Sequence, residues 1–226
     1  MMGAQCYGER EGNVSFLLTD SRSLCFPEET LFFALRSARN DGQHYIAELY
    51  QRGVRRFVVA EVPDRWQANY ADATFLVVGD TLAALQQLAA RHRQRFAIPV
   101  VGITGSNGKT TTKELVSRVL AEKYEVYATR GNLNNHIGVP LTLLAMTRDV
   151  EFGIVEMGAS ACGEIALLCS IAEPNYGIVT NIGRAHLEGF GGPEGVRRGK
   201  GELYDWLAGT GGRVFVPAND PVLMSM

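Results

Sequence analysis

The sequence of 226 residues has no long apolar run. Its longest uninterrupted ones, residues 31–35 and 165–169, are five residues each. A membrane-spanning helix needs about 20, so none is expected. Charge of one sign is not in excess either: 22 Lys and Arg stand against 24 Asp and Glu, a net charge of −2. That balance excludes the strongly basic surface of a dedicated nucleic-acid or anionic-membrane binder. Cysteine is sparse. Cys6, Cys25, Cys162 and Cys169 form no C-x-x-C pair and stand apart from His44, His92, His136 and His186. This argues against a zinc site and against a disulfide framework, and reads as free thiols in a reducing cytoplasm. Residues 1–10 lack the basic-then-apolar pattern of a secretory signal.

The length suggests one or two domains. What the sequence has in quantity is glycine, 25 residues or ~11% against a usual ~7%. Many fall between residues 102 and 201, where close backbone approach is expected. Residues 13–96 read as one α/β unit, with strands at 14–18, 30–34, 56–60 and 74–78 and a helix at 43–52. Asp80 is a suitable N-cap for a second helix over 81–95. The cations Arg91, His92, Arg93 and Arg95 near its end read as a solvated helix terminus rather than a phosphate patch. The pattern changes at Pro99. Domains are therefore placed at 1–97 and 98–226. The second alternates strands (99–104, 125–128, 152–157, 176–181, 213–216) with helices (110–123, 139–145, 163–172, 193–208), the order of a mostly parallel sheet with helical crossovers. Leu115, Val116, Val119 and Leu120 are expected to face inward.

The strongest chemical signal is the run Thr104-Gly105-Ser106-Asn107-Gly108-Lys109-Thr110-Thr111 between an apolar strand and a helix. Glycines let amide groups curl around phosphate oxygens, and a helix N-terminus adds positive dipole. Lys109 is suited to the β- and γ-phosphates and Thr110 to Mg2+. The spacing departs from G-x-x-x-x-G-K-[ST], since Ile103 stands where that pattern has glycine. Glu156 closes a second apolar strand, where a carboxylate can hold the magnesium of a nucleotide. His186 follows a third strand; a lone histidine there is either structural or functional. Lys200 lies on a helix between Gly199 and Gly201. Glycine costs a helix interior about 1 kcal/mol, so something large is expected to pack against that turn. Asn132, Asn134 and Asn135 form either an Asn-rich turn or a set of donors and acceptors for a ligand.

Together these residues resemble the Mur ligases of peptidoglycan synthesis. The resemblance rests on Thr104-Gly105-x-x-Gly108-Lys109-Thr110-Thr111, Gly131-Asn132-x-Asn134-Asn135-x-Ile137-Gly138-Val139-Pro140, Glu156-Met157-Gly158-Ala159 and the segment from Asn181 through Leu187-Glu188-Gly189-Phe190. The Asn-rich segment and Ala185-His186-Leu187-Glu188 are most similar to the branch that adds D-Ala-D-Ala. In the first domain, Thr19-Asp20-Ser21-Arg22, Leu31-Phe32-Phe33-Ala34-Leu35 and Asp41-Gly42-x-x-Tyr45-Ile46 resemble the part of these ligases that binds the UDP end of the substrate. The implied fold is α/β, a small UDP-substrate domain followed by a P-loop-type ATP-binding domain, incomplete here, with a third domain outside these residues.

The resemblance implies an ATP-dependent amide ligase joining D-Ala-D-Ala to a UDP-N-acetylmuramoyl tripeptide through an acyl phosphate, in the cytoplasm. It implies ATP and Mg2+ as cofactors. It places Asp20, Ser21, Arg22, Asn132, Asn134, Asn135 and Ser160 with the substrate, and Thr110, Glu156, His186 and a carbamylated Lys200 with metal. Phe26-Pro27-Glu28-Glu29-Thr30 resembles members fused to an alanine racemase, which would lie beyond residue 226. Other readings are a related ligase for the tripeptide-forming step, a folate polyglutamate ligase, a binding module without turnover, and a P-loop switch protein.

Overall fold

The computed structural model describes residues 3–9, 12–37 and 40–226. It is an α/β protein of two compact units, Met1–Gln87 and Leu88–Met226. The first unit holds β1 (Gln5–Tyr7), β2 (Phe16–Leu18), β3 (Thr30–Phe33), α1 (Ile46–Gln51), β4 (Arg56–Val59), α2 (Trp66–Asn69) and β5 (Thr74–Val77). Its five strands lie in the order β1-β5-β4-β3-β2, all parallel except β1, which pairs antiparallel with β5. The core beside this sheet is aromatic: Phe32, Phe57 and Phe75 are fully buried, and the rings of Phe57 and Phe75 stack at 5.4 Å. Internal strand β3 is buried throughout, as a parallel strand covered on both faces should be.

The helix expected over 43–52 begins as a 3-10 turn, Gly42–Tyr45, before α1. The Asp41 carboxylate accepts from the Gln43 amide and fixes that tighter start. Helix α3 (Thr81–Arg93) starts as the sequence suggests, with Asp80 accepting from the amides of Leu82 and Ala83. The division between units falls within α3 rather than near residue 97, because Ala89, Ala90, Phe96 and Ile98 pack with the second unit's core.

Arg93 overturns the expectation of a solvated helix end. It is 5% exposed, and its guanidinium donates to the carbonyls of Ala172, Phe96, Ile98 and Glu173. The planar fork of five donors satisfies carbonyls that the ends of several elements leave unpaired, which a charge count along the helix does not reveal.

The second unit contains β6 (Val100–Thr104), α4 (Lys109–Ala121), β7 (Val126–Ala128), α5 (Gly138–Leu144), β8 (Phe152–Glu156), α6 (Glu164–Ala172), β9 (Tyr176–Val179), α7 (Leu187–Phe190), α8 (Pro193–Thr210), β10 (Arg213–Phe215) and α9 (Pro221–Met224). Its sheet is wholly parallel, in the order β10-β9-β6-β8-β7. The chain leaves central β6 toward β7 and later crosses to β9 on the opposite side. Where connections diverge in this way, a crevice opens at the carboxyl ends of the strands. The register levels those ends: Ile103 pairs with Glu156 on one side, and Thr104 with Val179 on the other.

Helix α4 docks in a different phase from the one its apolar residues suggest. Leu115 and Val119 are 61% and 72% exposed, while Val116 and Leu120 pack on the sheet and Lys113 is buried. The inward stripe is 113-116-120, so a lysine takes a position that hydrophobicity alone assigns to solvent.

Candidate active site

The loop between β6 and α4 is shaped by two glycines with positive φ, Gly105 at 139° and Gly108 at 77°. That region costs a side chain about 1–2 kcal/mol. The loop is tied to the segment after β9. The Thr180 hydroxyl and the Asn181 side-chain amide donate to the Asn107 carbonyl at 2.6 and 3.0 Å. The amides of Ser106 and Asn107 donate to Asn181. The Ser106 hydroxyl accepts from the Gly183 amide at 2.8 Å. Thr104, fully buried, donates to the Met157 carbonyl at 2.8 Å. The loop is therefore built before any ligand arrives, and the 13-residue helix α4 starts directly from it.

Lys109 folds back over this loop, its ammonium donating to the Gly105 carbonyl at 2.8 Å. Beside it, the Thr110 hydroxyl meets both oxygens of Glu156, at 3.0 and 3.2 Å. Glu156 is 2% exposed, yet it also accepts from the Asn134 amide at 2.9 Å, and the Lys113 ammonium stands 3.9 Å from its other oxygen. Buried carboxylates require such partners.

A cleft of about 450 Å³ is lined by Gly105, Ser106, Lys109, Asn134, Asn135, Ser160, His186 and Lys200 among others. Residues scattered over nearly a hundred positions of sequence thus share one cavity. Lys200 is 2% exposed; its ammonium donates to the Ala159 carbonyl at 3.0 Å and lies 5.0 Å from the centre of the Phe190 ring. Burial, and secondly the positive charge of Lys109, push its pKa down to about 8. The bulky group expected against the glycines of α8 is Phe190: a Cβ at Gly195 would collide with its carbonyl, and one at Gly199 with its ring.

Residues 103–226 match the family description Mur ligase middle domain. The chain belongs to the Mur ligase family. It is 40% identical over 207 residues to the UDP-N-acetylmuramoyl-tripeptide–D-alanyl-D-alanine ligase of Bacillus subtilis, covering 92% of this chain and 44% of that protein. A crystal structure of MurF from Acinetobacter baumannii superposes with a TM-score of 0.84 at 36% identity, over 94% of this chain and 45% of that one. The MurF ligase of Thermotoga maritima, solved in complex with ADP, gives 0.73 at 33% identity, over 84% and 43%. The chain thus spans less than half the length of the relatives it matches.

Within this Mur ligase unit the remaining expected residues are placed unevenly. Asn134 touches Glu156, but the Asn135 side-chain oxygen accepts from the amides of Ile137 and Gly138 at the turn leading into α5. Asn132 is exposed on the same turn. Ser160 is bonded through its amide and hydroxyl to Glu164. His186 is exposed at the cleft wall, in the left-handed region with φ 56°. Asp20, Ser21 and Arg22 belong to the first unit. There Asp20 caps the turn Ser21–Ser23 and pairs with Arg22, whose side chain is 87% exposed, while Ser21 is buried. The Arg22 guanidinium and amide beside Asp20 hold its carboxyl down at about 2.

The donor set suits magnesium. A hydroxyl and a carboxylate, both hard oxygen donors, face each other at the start of a phosphate-type helix. No group of three or more His, Cys, Asp or Glu that could hold a metal occurs among the described residues. Magnesium typically takes one or two carboxylates and completes its shell with phosphate and water. Lys113 was not singled out from the sequence, where it reads as one more helix cation. Its one signal is its spacing, four residues after Lys109 on the same face.

Proposed function

We propose that this protein is an ATP-dependent amide ligase that joins D-alanyl-D-alanine to a UDP-N-acetylmuramoyl tripeptide, in cytoplasmic synthesis of the peptidoglycan precursor. The observation that carries the reading is that Lys109 and buried Lys200 line one cleft, while Thr110, next to Lys109, bonds the buried Glu156 at the carboxyl end of the parallel sheet. The names of its relatives support it.

The reaction requires two anions to meet. An oxygen of the tripeptide's terminal carboxylate attacks the γ-phosphorus of ATP. The bond from that phosphorus to the β–γ bridging oxygen breaks, and ADP leaves. The D-Ala-D-Ala amine then attacks the acyl carbon, phosphate departs, and the amine's proton is released. Two unit charges 4 Å apart repel by about 4 kcal/mol at an effective dielectric near 20. Lys109 reduces that repulsion at the β- and γ-oxygens. In doing so it exchanges its loop carbonyls for phosphate, which favours the charge developing in transfer. Thr110 and Glu156 would hold Mg2+, which neutralises phosphate charge when bound. His186, on the cleft lining, would serve a second metal position. Lys200, once its amine has added CO2, becomes an anion able to support that metal. Residues 1–97 take the UDP end through Asp20, Ser21 and Arg22; Asn132, Asn134, Asn135 and Ser160 orient the muramoyl peptide.

The test is ADP release by the intact gene product, with UDP-muramoyl tripeptide, Mg·ATP and D-Ala-D-Ala each omitted in turn. Release that needs all three is expected. Release with a dipeptide acceptor and a diamino acid would move the protein to the tripeptide-forming step, and no acceptor-dependent release would overturn the ligase reading.

A further inference from the structure

Lys113 is a buried ionisable group beside the Glu156 carboxylate that this scheme does not use. Lysine is almost never fully buried without a partner, and a position on the sheet-facing stripe of α4 would ordinarily be filled by an aliphatic side chain. Its ammonium, 2% exposed, points to the carboxyl ends of two neighbouring strands. It donates to the Thr129 carbonyl just beyond β7 at 2.7 Å, lies 3.1 Å from Glu114, and stands 3.9 Å from Glu156 at the end of β8. Thr129 closes the circuit, since its hydroxyl accepts the Glu156 amide at 3.0 Å. Lys113 thus stands beside the carboxylate, Thr129 fixes the Glu156 backbone through its amide, and the carboxylate oxygens accept from Thr110 and Asn134.

We propose that Lys113 is a positioning residue for the metal site: it balances the buried Glu156 charge and fixes the carboxylate against Thr110 without occupying the oxygens a metal would use. The 3.9 Å separation is the basis for the last point, because it is an ion-pair distance and too long for a direct hydrogen bond. Groups that orient a metal ligand from behind typically change metal affinity by about 10–100-fold when removed. The inference rests on the reading of Thr110 and Glu156 as magnesium ligands.

The test is calorimetric titration of ADP at a series of Mg2+ concentrations. For Lys113→Met, the Mg2+ concentration that half-restores tight binding should rise about tenfold, with metal-free ADP binding unchanged. Lys113→Arg, which keeps the charge, should recover most of that shift. Unaltered Mg2+ dependence in Lys113→Met overturns the proposal alone; no Mg2+ dependence in the unsubstituted protein overturns it together with the ligase reading. Thermal melting of Lys113→Met, Glu156→Gln and the double variant gives a second readout that needs no ligand. The lysine substitution should lower the melting temperature less when Glu156 is already neutral, and strictly additive shifts would count against the pairing.

Discussion

The two units hold particular charged residues in opposite ways. In the first, Asp20 and Arg22 sit on an exposed turn and satisfy each other. In the second, Thr104, Lys113, Glu156 and Lys200 are at most 2% exposed, each held by named partners. Exposed ion pairs contribute about 0–1 kcal/mol to stability. Buried charges cost far more unless they are partnered, and a protein retains them only where the surroundings are built for them. Under the proposed function, the contrast separates recognition from chemistry. A surface turn can bind a substrate's distal end with little structural investment, whereas phosphoryl transfer needs charges whose positions are fixed beforehand.

The sharpest way to break this contrast is Lys109→Ala, which should lower kcat for ADP release by at least about 100-fold while the fold persists. Near-normal turnover would remove the chemistry from the second unit. Next comes Lys200. Its lowered pKa means that the neutral amine, the form that captures CO2, appears as pH rises through about 8 rather than through the ordinary lysine range. The folded state then binds fewer protons than the unfolded one between about 8 and 10.5. Stability should therefore rise with pH across that window, and the penalty is fully present below it. Lys200→Met should flatten the rise in thermal melts. A 13C-bicarbonate label should show an adduct in the native protein that is absent from the variant, and small carboxylic acids should partly restore activity to Lys200→Ala.

Two glycines of α8 refine the comparison within one helix. Replacing glycine by alanine in a helix normally gains up to about 1 kcal/mol. Gly209→Ala should do so, since nothing lies within 4 Å of a Cβ built there. Gly199→Ala should reverse the sign and cost about 1–3 kcal/mol by forcing Phe190 away from Lys200, measurable by denaturant melts. The smallest structural effect is expected in the first unit. Arg22→Ala should leave the melting temperature unchanged and raise the KM for the UDP substrate several-fold at constant kcat. A fall in kcat with KM unchanged would show that the exposed turn takes part in chemistry after all.

Much of the second unit is readable from residue order, because a glycine turn after an apolar strand and a carboxylate closing the next one are local patterns. Asp80 capping α3 is local in the same sense. The larger misreadings involve groups whose surroundings are remote in sequence. Arg93 resembles a solvated helix end until the Ala172 and Glu173 carbonyls, some 80 residues on, reach its guanidinium. Leu115 and Val119 resemble a core stripe until the docking phase of α4 turns them outward. Asn135 reads as equally available to a ligand or a turn, and its side-chain oxygen proves committed to the turn leading into α5.

By itself, the sequence determined the alternation that makes a parallel sheet, the phosphate-type loop, the family, and most of the residues lining the cleft. The alternation and the loop follow from short-range rules of periodicity, turn chemistry and spacing, and the family and cleft residues such as Ser160, His186 and Lys200 from the resemblance. Only the tertiary structure decided which charges are buried and which carbonyl or carboxylate receives them. Burial depends on how helices settle on the sheet, and strand register brings Thr110, Lys113 and Asn134 around the Glu156 carboxylate in a way that no single stretch of residues specifies.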